Sequence, residues 1–163
     1  MQHDTVMHPH PAGCAPGRIS GLYSEQGLKL SASEVVKVYL VEDSPVLRDR
    51  VMESIAEDGR LAMVGYADTE DDALAGITAA APDAIIVDIQ LKRGSGLSLL
   101  RRLAGAALAR MPKVIVLTNY AYPEYRRRAT AAGCDFFFDK ATEFPRVGEV
   151  LDQLIRERSG LAD

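Results

Sequence analysis

The run Ile85-Ile86-Val87, ending at Asp88, constrains this chain more than any other stretch. Three β-branched residues in succession leave no polar side, so the pattern suits a strand covered on both faces, as in a parallel sheet. After Asp88 comes Ile89-Gln90-Leu91-Lys92-Arg93-Gly94-Ser95-Gly96, a turn-rich segment before the next helical pattern. In open α/β sheets the carboxyl ends of the strands are where ligands gather. Asp88 is therefore placed to react or to bind a cation, or it merely caps a turn; this stretch alone is compatible with both.

A second apolar run, Val35 to Val41, ends in Glu42-Asp43 and is followed by Ser44-Pro45. Serine before proline starts a helix well, because the serine oxygen accepts an orphan N–H and proline tolerates the first helical position. If the strands are parallel, Glu42 and Asp43 share a sheet edge with Asp88. Three acids in one crevice repel one another, and a hard cation such as Mg²⁺, which prefers carboxylate oxygens, offsets that charge. The plainer reading is that both acids favour a helix amino terminus through its dipole, at about 0.3–1 kcal/mol.

Two further runs add to the pattern. Val114-Ile115-Val116-Leu117 leads into Thr118-Asn119, and Phe136-Phe137-Phe138 leads into Asp139-Lys140. The four runs end on an acidic pair, an acid, a hydroxyl and an amine. Such a set fits phosphoryl chemistry on a carboxylate: Asp88 as nucleophile, Glu42 and Asp43 as cation ligands, Thr118 and Lys140 on phosphoryl oxygens. Taken singly, Thr118 is only a good strand residue and Lys140 an ordinary surface lysine.

With these positions in view, residues 35–158 resemble the receiver domain of bacterial two-component response regulators, the CheY-like family. Glu42-Asp43, Asp88, Thr118 and Lys140 match its acidic pair, phosphoacceptor, switch hydroxyl and lysine, and Phe137 matches its switch aromatic. The resemblance implies a flavodoxin-like, doubly wound (βα)5 fold with a five-stranded parallel sheet in the order 2-1-3-4-5. It implies Mg²⁺ (or Mn²⁺) at Glu42, Asp43 and Asp88, and a phosphoryl group taken from a sensor histidine kinase or histidine phosphotransfer protein. It further implies that Thr118 and Phe137 switch binding of a downstream protein, Phe137 turning inward, and that Gln90, Asn119 and Tyr120 tune the phosphoryl lifetime. Such a module is a signalling device that catalyses only its own phosphorylation and slow dephosphorylation. Two departures stand out: Lys92 replaces a common proline, which implies a less rigid loop after Asp88, and Ala141 replaces another after Lys140.

Around this core, residues 1–34 read as an unstructured extension, broken by Pro9, Pro11, Gly13, Pro16, Gly17, Gly21 and Gly27. His3, His8 and His10 lack the acid or cysteine set of a metal site. Residues 159–163 form a short tail, leaving no room for a carboxy-terminal effector domain, so a stand-alone receiver is expected. Between them, helices are expected with apolar sides Leu47/Val51/Ile55, Leu74/Ile77/Ala81, Leu99/Leu100/Leu103 and Val147/Val150/Leu151/Leu154/Ile155. Thr69 caps the second with Asp72 in the reciprocal position, and Leu61–Ala67, carrying Gly65, reads as an edge strand. Arg126-Arg127-Arg128 reads as a solvated helix face, with a docking patch as the alternative.

The net charge of −4 argues against direct nucleic-acid binding, and no apolar run reaches membrane-spanning length. Only Cys14 and Cys134 are present, so no disulfide framework is indicated and a reducing cytoplasm is expected. Cys134 reads as a small packed side chain. The alternative function, an Mg²⁺-dependent phosphohydrolase with an aspartyl-phosphate intermediate, expects Asp-x-Asp after the first strand, where this chain has Glu42-Asp43-Ser44. A flavin-binding protein of the same fold wants a phosphate-wrapping loop there, which acids oppose.

Overall fold

The structure, a computed structural model, describes residues 31–160. Strands and helices alternate throughout: β1 (Val36–Val41), α1 (Pro45–Ala56), β2 (Leu61–Ala67), α2 (Glu70–Ala80), β3 (Ala84–Val87), α3 (Gly96–Gly105), β4 (Lys113–Thr118), α4 (Pro123–Ala131), β5 (Phe136–Asp139) and α5 (Pro145–Arg158). All strand pairs are parallel and the order is β2-β1-β3-β4-β5, the doubly wound arrangement.

The helix starts follow their local chemistry. Ser44 accepts from Leu47 N at 3.4 Å with Pro45 in the first turn, Thr69 accepts from Asp72 N at 3.3 Å, and Ser95 accepts from Ser98 N at 3.1 Å. The far side of α2 differs from the sequence expectation. Ala73 and Ile77 are its buried residues, while Ala81 lies past the last turn, exposed, at φ 45°. Pro82 cannot continue the helix, so the chain leaves it through a left-handed residue.

Alternation along the strands divides the core into two layers. Tyr39, Val41, Ile85, Val87, Val116 and Phe137 face α2, α3 and α4 with Leu97 and Leu100. Val38, Leu40, Ile86, Ile115, Leu117 and Phe138 face α1 and α5 with Val51, Val150 and Leu151. Phe137 thus points away from Phe136 and Phe138, as strand geometry requires. Each fully buried large aliphatic here contributes about 1.5–3 kcal/mol. β2 is indeed an edge strand, but Gly65 has a further reason to be glycine. The β1–β2 register slips between Val38 and Tyr39, and a Cβ on Gly65 or Gly76 would collide with the Tyr39 side chain.

Of the expected extension, only residues 31–34 are described; they form a turn in which the Ser31 N–H and hydroxyl both donate to Glu34. The three histidines and Cys14 lie outside the described residues, as do residues 161–163 of the short tail. Among the described residues no helix is long and apolar enough to cross a membrane, and no peptide bond is cis.

Candidate functional site

Strand register decides where the polar residues meet. Val41 pairs with Val87, and Val87 with Val116, so Glu42 and Asp88 leave neighbouring strands at the same level. Thr118 pairs with Asp139, which brings Lys140 to that edge as the next residue. All five residues singled out from the sequence therefore converge at the carboxyl edge of the sheet. Glu42 and Asp88 are 2% and 6% exposed and Thr118 is fully buried, whereas Asp43 is exposed.

Lys140 is the hub. Its Nζ donates to Asp88 Oδ2 at 2.7 Å and lies 2.7 Å from Glu42 Oε2. Burial alone would lower its pKa, but those two carboxylates outweigh it and hold the ammonium above its ordinary value. Glu42 sits the other way: burial pushes its carboxyl above the usual range although Lys140 and the Ser44 N–H favour the ionised form. The sequence had placed Lys140 only against phosphoryl oxygens. Here it already offsets part of the crowding, yet three carboxylates against one ammonium still leave an excess of negative charge.

One ligand atom each from Glu42, Asp43 and Asp88 lie within 4.8 Å of one another. Lys140 takes one oxygen of Glu42 and one of Asp88, and the other oxygen of each accepts a single backbone N–H, from Ser44 and Gln90, which leaves lone pairs there and on Asp43 for an ion. An all-oxygen set suits a hard divalent cation.

The loop after Asp88, with Lys92 in place of the common proline, is tied by backbone bonds to a neighbouring connection. Lys92 N donates to Asp68 O and Glu70 N to Arg93 O, each at 3.0 Å, which joins the loop to the β2–α2 connection. Proline at 92 would lose the first of these bonds. Glu70 completes the clamp: its carboxylate accepts from Ser95 N at 3.0 Å, Ser98 Oγ at 2.7 Å and Arg102 Nη1 at 3.0 Å. Burial raises its pKa, but these donors outweigh that and hold it below the usual range. Gly94, at φ +78°, leaves the space that Glu70 fills. Sequence reasoning missed Glu70, since its partners lie far along the chain; its only signal is an acid at the first position of a helix, which the dipole explains by itself.

Gln90, Asn119 and Tyr120 are all exposed beside the site. Two act through their backbones: Gln90 N donates to Asp88 Oδ1 at 3.3 Å, and Tyr120 N donates to Thr118 Oγ1 at 3.1 Å. Phe137 is only 6% exposed, so its ring lies inward in this structure. The Arg126 guanidinium covers that ring at 4.6 Å and donates to Phe137 O at 3.1 Å. Cys134 is half-buried, and burial pushes its thiol up to about 11, as befits a packed side chain.

Residues 38–152 match the model of the response regulator receiver domain. Among curated proteins, the DNA-binding transcriptional activator DevR/DosR of Mycobacterium tuberculosis is 35% identical over 108 residues, covering 65% of this chain and 48% of that one. A protein-glutamate methylesterase/protein-glutamine glutaminase of Methanospirillum hungatei is 31% identical over 122 residues, 74% of this chain and 35% of that one. The chain thus spans about half or less of these relatives' length. Among solved structures, the response regulator domain of Thermotoga maritima CheB superposes with a TM-score of 0.65 at 22% identity, over 79% of this chain and 99% of that one. A LuxR-family DNA-binding response regulator from Staphylococcus aureus gives 0.67 at 23%, over 74% and 99%. This chain belongs to the response regulator receiver family. Receiver domains are signalling modules, and the fold is the one they share.

Proposed function

We propose that this chain is a cytoplasmic response regulator whose receiver module accepts a phosphoryl group onto Asp88 from a phosphohistidine. The donor is a sensor histidine kinase or a histidine phosphotransfer protein. The observation that carries this reading is the joint placement of a nearly buried Asp88, its Lys140 partner at 2.7 Å and two further carboxylates at one sheet edge. Glu42, Asp43 and Asp88 would hold Mg²⁺ or Mn²⁺, which supplies positive charge against the transferring oxygens. An Asp88 oxygen attacks phosphorus, the phosphorus–nitrogen bond breaks, and its electron pair returns to the imidazole. Lys140 keeps Asp88 oriented and offers a compact cation to the phosphoryl oxygens.

Readout runs through Thr118. Its hydroxyl accepts from Tyr120 N, so drawing that hydroxyl toward a phosphoryl oxygen releases the start of the β4–α4 loop. Phe137 takes part from its inward position, held to α4 by Arg126; what changes is the grip of Arg126 rather than a ring entering the core. Gln90, Asn119 and Tyr120, exposed beside the site, tune the phosphoryl lifetime.

The test is incubation with a small phosphodonor and Mg²⁺, followed by intact-mass measurement. One base-labile phosphoryl group is expected on wild type and none on Asp88→Asn; full labelling of the variant ends the proposal.

A further inference from the structure

Between α3 and α4, beside the site but outside it, lies a groove of about 360 Å³. Ile89, Leu97, Tyr120 and Tyr125 give it aromatic and aliphatic walls, and Arg128 stands at its edge. Tyr120 and Tyr122 are exposed by 40% and 61%, unusually far for tyrosines, and the Tyr122 ring leans on Tyr125 with centroids 6.2 Å apart.

Charge around this groove runs against that of the whole molecule. The chain carries a net −4, yet α3 and α4 together hold five arginines and one acid, Glu124. Two of the five are committed: Arg102 to Glu70 and Asp71, Arg126 to Phe137. Arg101, Arg127 and Arg128 are exposed and make no ion pair among the described residues. Arg101 follows Leu97 by one helical turn and Arg128 follows Tyr125 by nearly one, so both rise from residues that line the groove. The arginine triplet of α4 is therefore divided: its first member braces Phe137, and its last serves the groove.

We propose that this groove docks an acidic, amphipathic segment of a partner protein, and that phosphorylation of Asp88 reshapes it through Tyr120. Apolar side chains of the segment occupy the aromatic walls, while its carboxylates meet Arg101 and Arg128. Tyr120 links groove and site physically, because its side chain lines one and its N–H is bonded to Thr118 of the other. The phosphorylation dependence rests on the function proposed above; the docking surface does not.

The probe is a fluorescein-labelled helical peptide of repeating glutamate and leucine, read by anisotropy against the whole chain. A lysine-for-glutamate peptide and a short DNA duplex serve as comparisons. The acidic peptide should bind in roughly the micromolar range, and Arg128→Glu should weaken it about tenfold, the equivalent of ~1.4 kcal/mol. Arg101→Glu gives a second reading from the other helix. Binding unaffected by both charge reversals, or binding of the duplex but not of the acidic peptide, overturns the docking site. Phosphorylated wild type should differ from unphosphorylated protein by about threefold or more, and Thr118→Ala should lose that difference. An unchanged affinity on fully phosphorylated wild type overturns the coupling. Failure of Asp88 to take a phosphoryl group instead strikes the proposed function and leaves the peptide result standing.

Discussion

The two ends of the central sheet each bury a carboxylate against a cation, and they do so in opposite proportion. At the carboxyl edge, Glu42, Asp43 and Asp88 gather around the single ammonium of Lys140. At the amino edge, Asp83 faces two guanidiniums, Arg158 at 2.9 and 2.5 Å and Arg110 beside it, while Asp135 pairs with Lys113. Asp83 also accepts from Lys37 N at 2.8 Å, and Arg158 donates to Val35 O at 2.7 Å, so the entry to β1 and β3 is fastened to the end of α5. An edge with more cations than acids is satisfied without any ligand. An edge with more acids than cations is left wanting positive charge, and that imbalance is what the proposed function assigns to a divalent cation.

Lys140→Ala attacks the deficient edge where it is weakest. It leaves Glu42 and Asp88 buried without their cation and, on the proposed function, removes a charge that would stabilise the transferring phosphoryl group. Phosphorylation should slow by about a hundredfold or more, the scale seen when one well-placed electrostatic group is lost. A stopped assay with a small phosphodonor at saturating Mg²⁺ measures it. A rate within a few fold of wild type would mean that Lys140 only neutralises the resting site.

Asp83→Ala breaks the satisfied edge instead. Arg158 and the Lys37 N–H lose their partner in a largely enclosed place, and the cost should be about 2–3 kcal/mol in urea unfolding. Phosphorylation of the folded protein should stay near the wild-type rate. A large loss of rate with unchanged stability would show that the two edges are not separate in function.

The pH dependence of this second effect has a definite sign. Burial pushes Asp83 up, but the Lys37 N–H and Arg158 outweigh it and hold its pKa below the ordinary aspartate value. Because the native state favours the ionised form, its contribution is full above about pH 3.9, the unfolded value, and fades as pH falls through the lower native value. The stability gap between wild type and Asp83→Asn should accordingly shrink in acid. Urea melts in steps from pH 6 downward test this; a gap that widens in acid refutes the assignment.

These two edges were unequally legible in the sequence. The carboxyl edge announced itself because apolar strands ending in Asp88, Thr118 and Lys140 are local patterns, and parallel register then brings them level. The doubly wound class followed from the same alternation of strands and helices, whereas the strand order 2-1-3-4-5 rested on the family resemblance. The amino edge was silent: Pro82-Asp83 reads as a turn, and Arg158 as one more basic residue at a helix end. The Glu70 clamp was silent for the same reason, since only tertiary structure brings Glu70 to Ser95, Ser98 and Arg102. Periodicity also overreached at Ala81, which continues the apolar stripe of α2 but falls beyond its last turn. The convergence of candidate site residues was thus readable where the strand itself delivers them, and contacts were unreadable where two distant segments must first fold together.

The smallest predicted effect separates the acids of the carboxyl edge from one another. Simple crowding says that removing any one carboxylate should stabilise the metal-free protein. Asp43, however, is exposed, while Lys140 already bridges the two buried acids. Solvent screens its repulsion with them, so Asp43→Asn should raise the melting temperature without metal only slightly, by the equivalent of about 0.2–0.5 kcal/mol. Its part in holding an ion is a different matter, because Asp43 is the one member of the trio that Lys140 leaves wholly uncommitted. Adding Mg²⁺ should raise the melting temperature of wild type by mass action, and most of that rise should vanish in Asp43→Asn. Thermal melts of both proteins, with EDTA and across a Mg²⁺ series, measure the two effects together. If the variant keeps the full Mg²⁺ shift, the stabilising ion binds elsewhere, and His3, His8 and His10 are the first residues to replace. If the metal-free variant instead melts far above wild type, the repulsion at this edge is strong enough to reach an exposed carboxylate, and Lys140 neutralises less of it than its two short contacts imply.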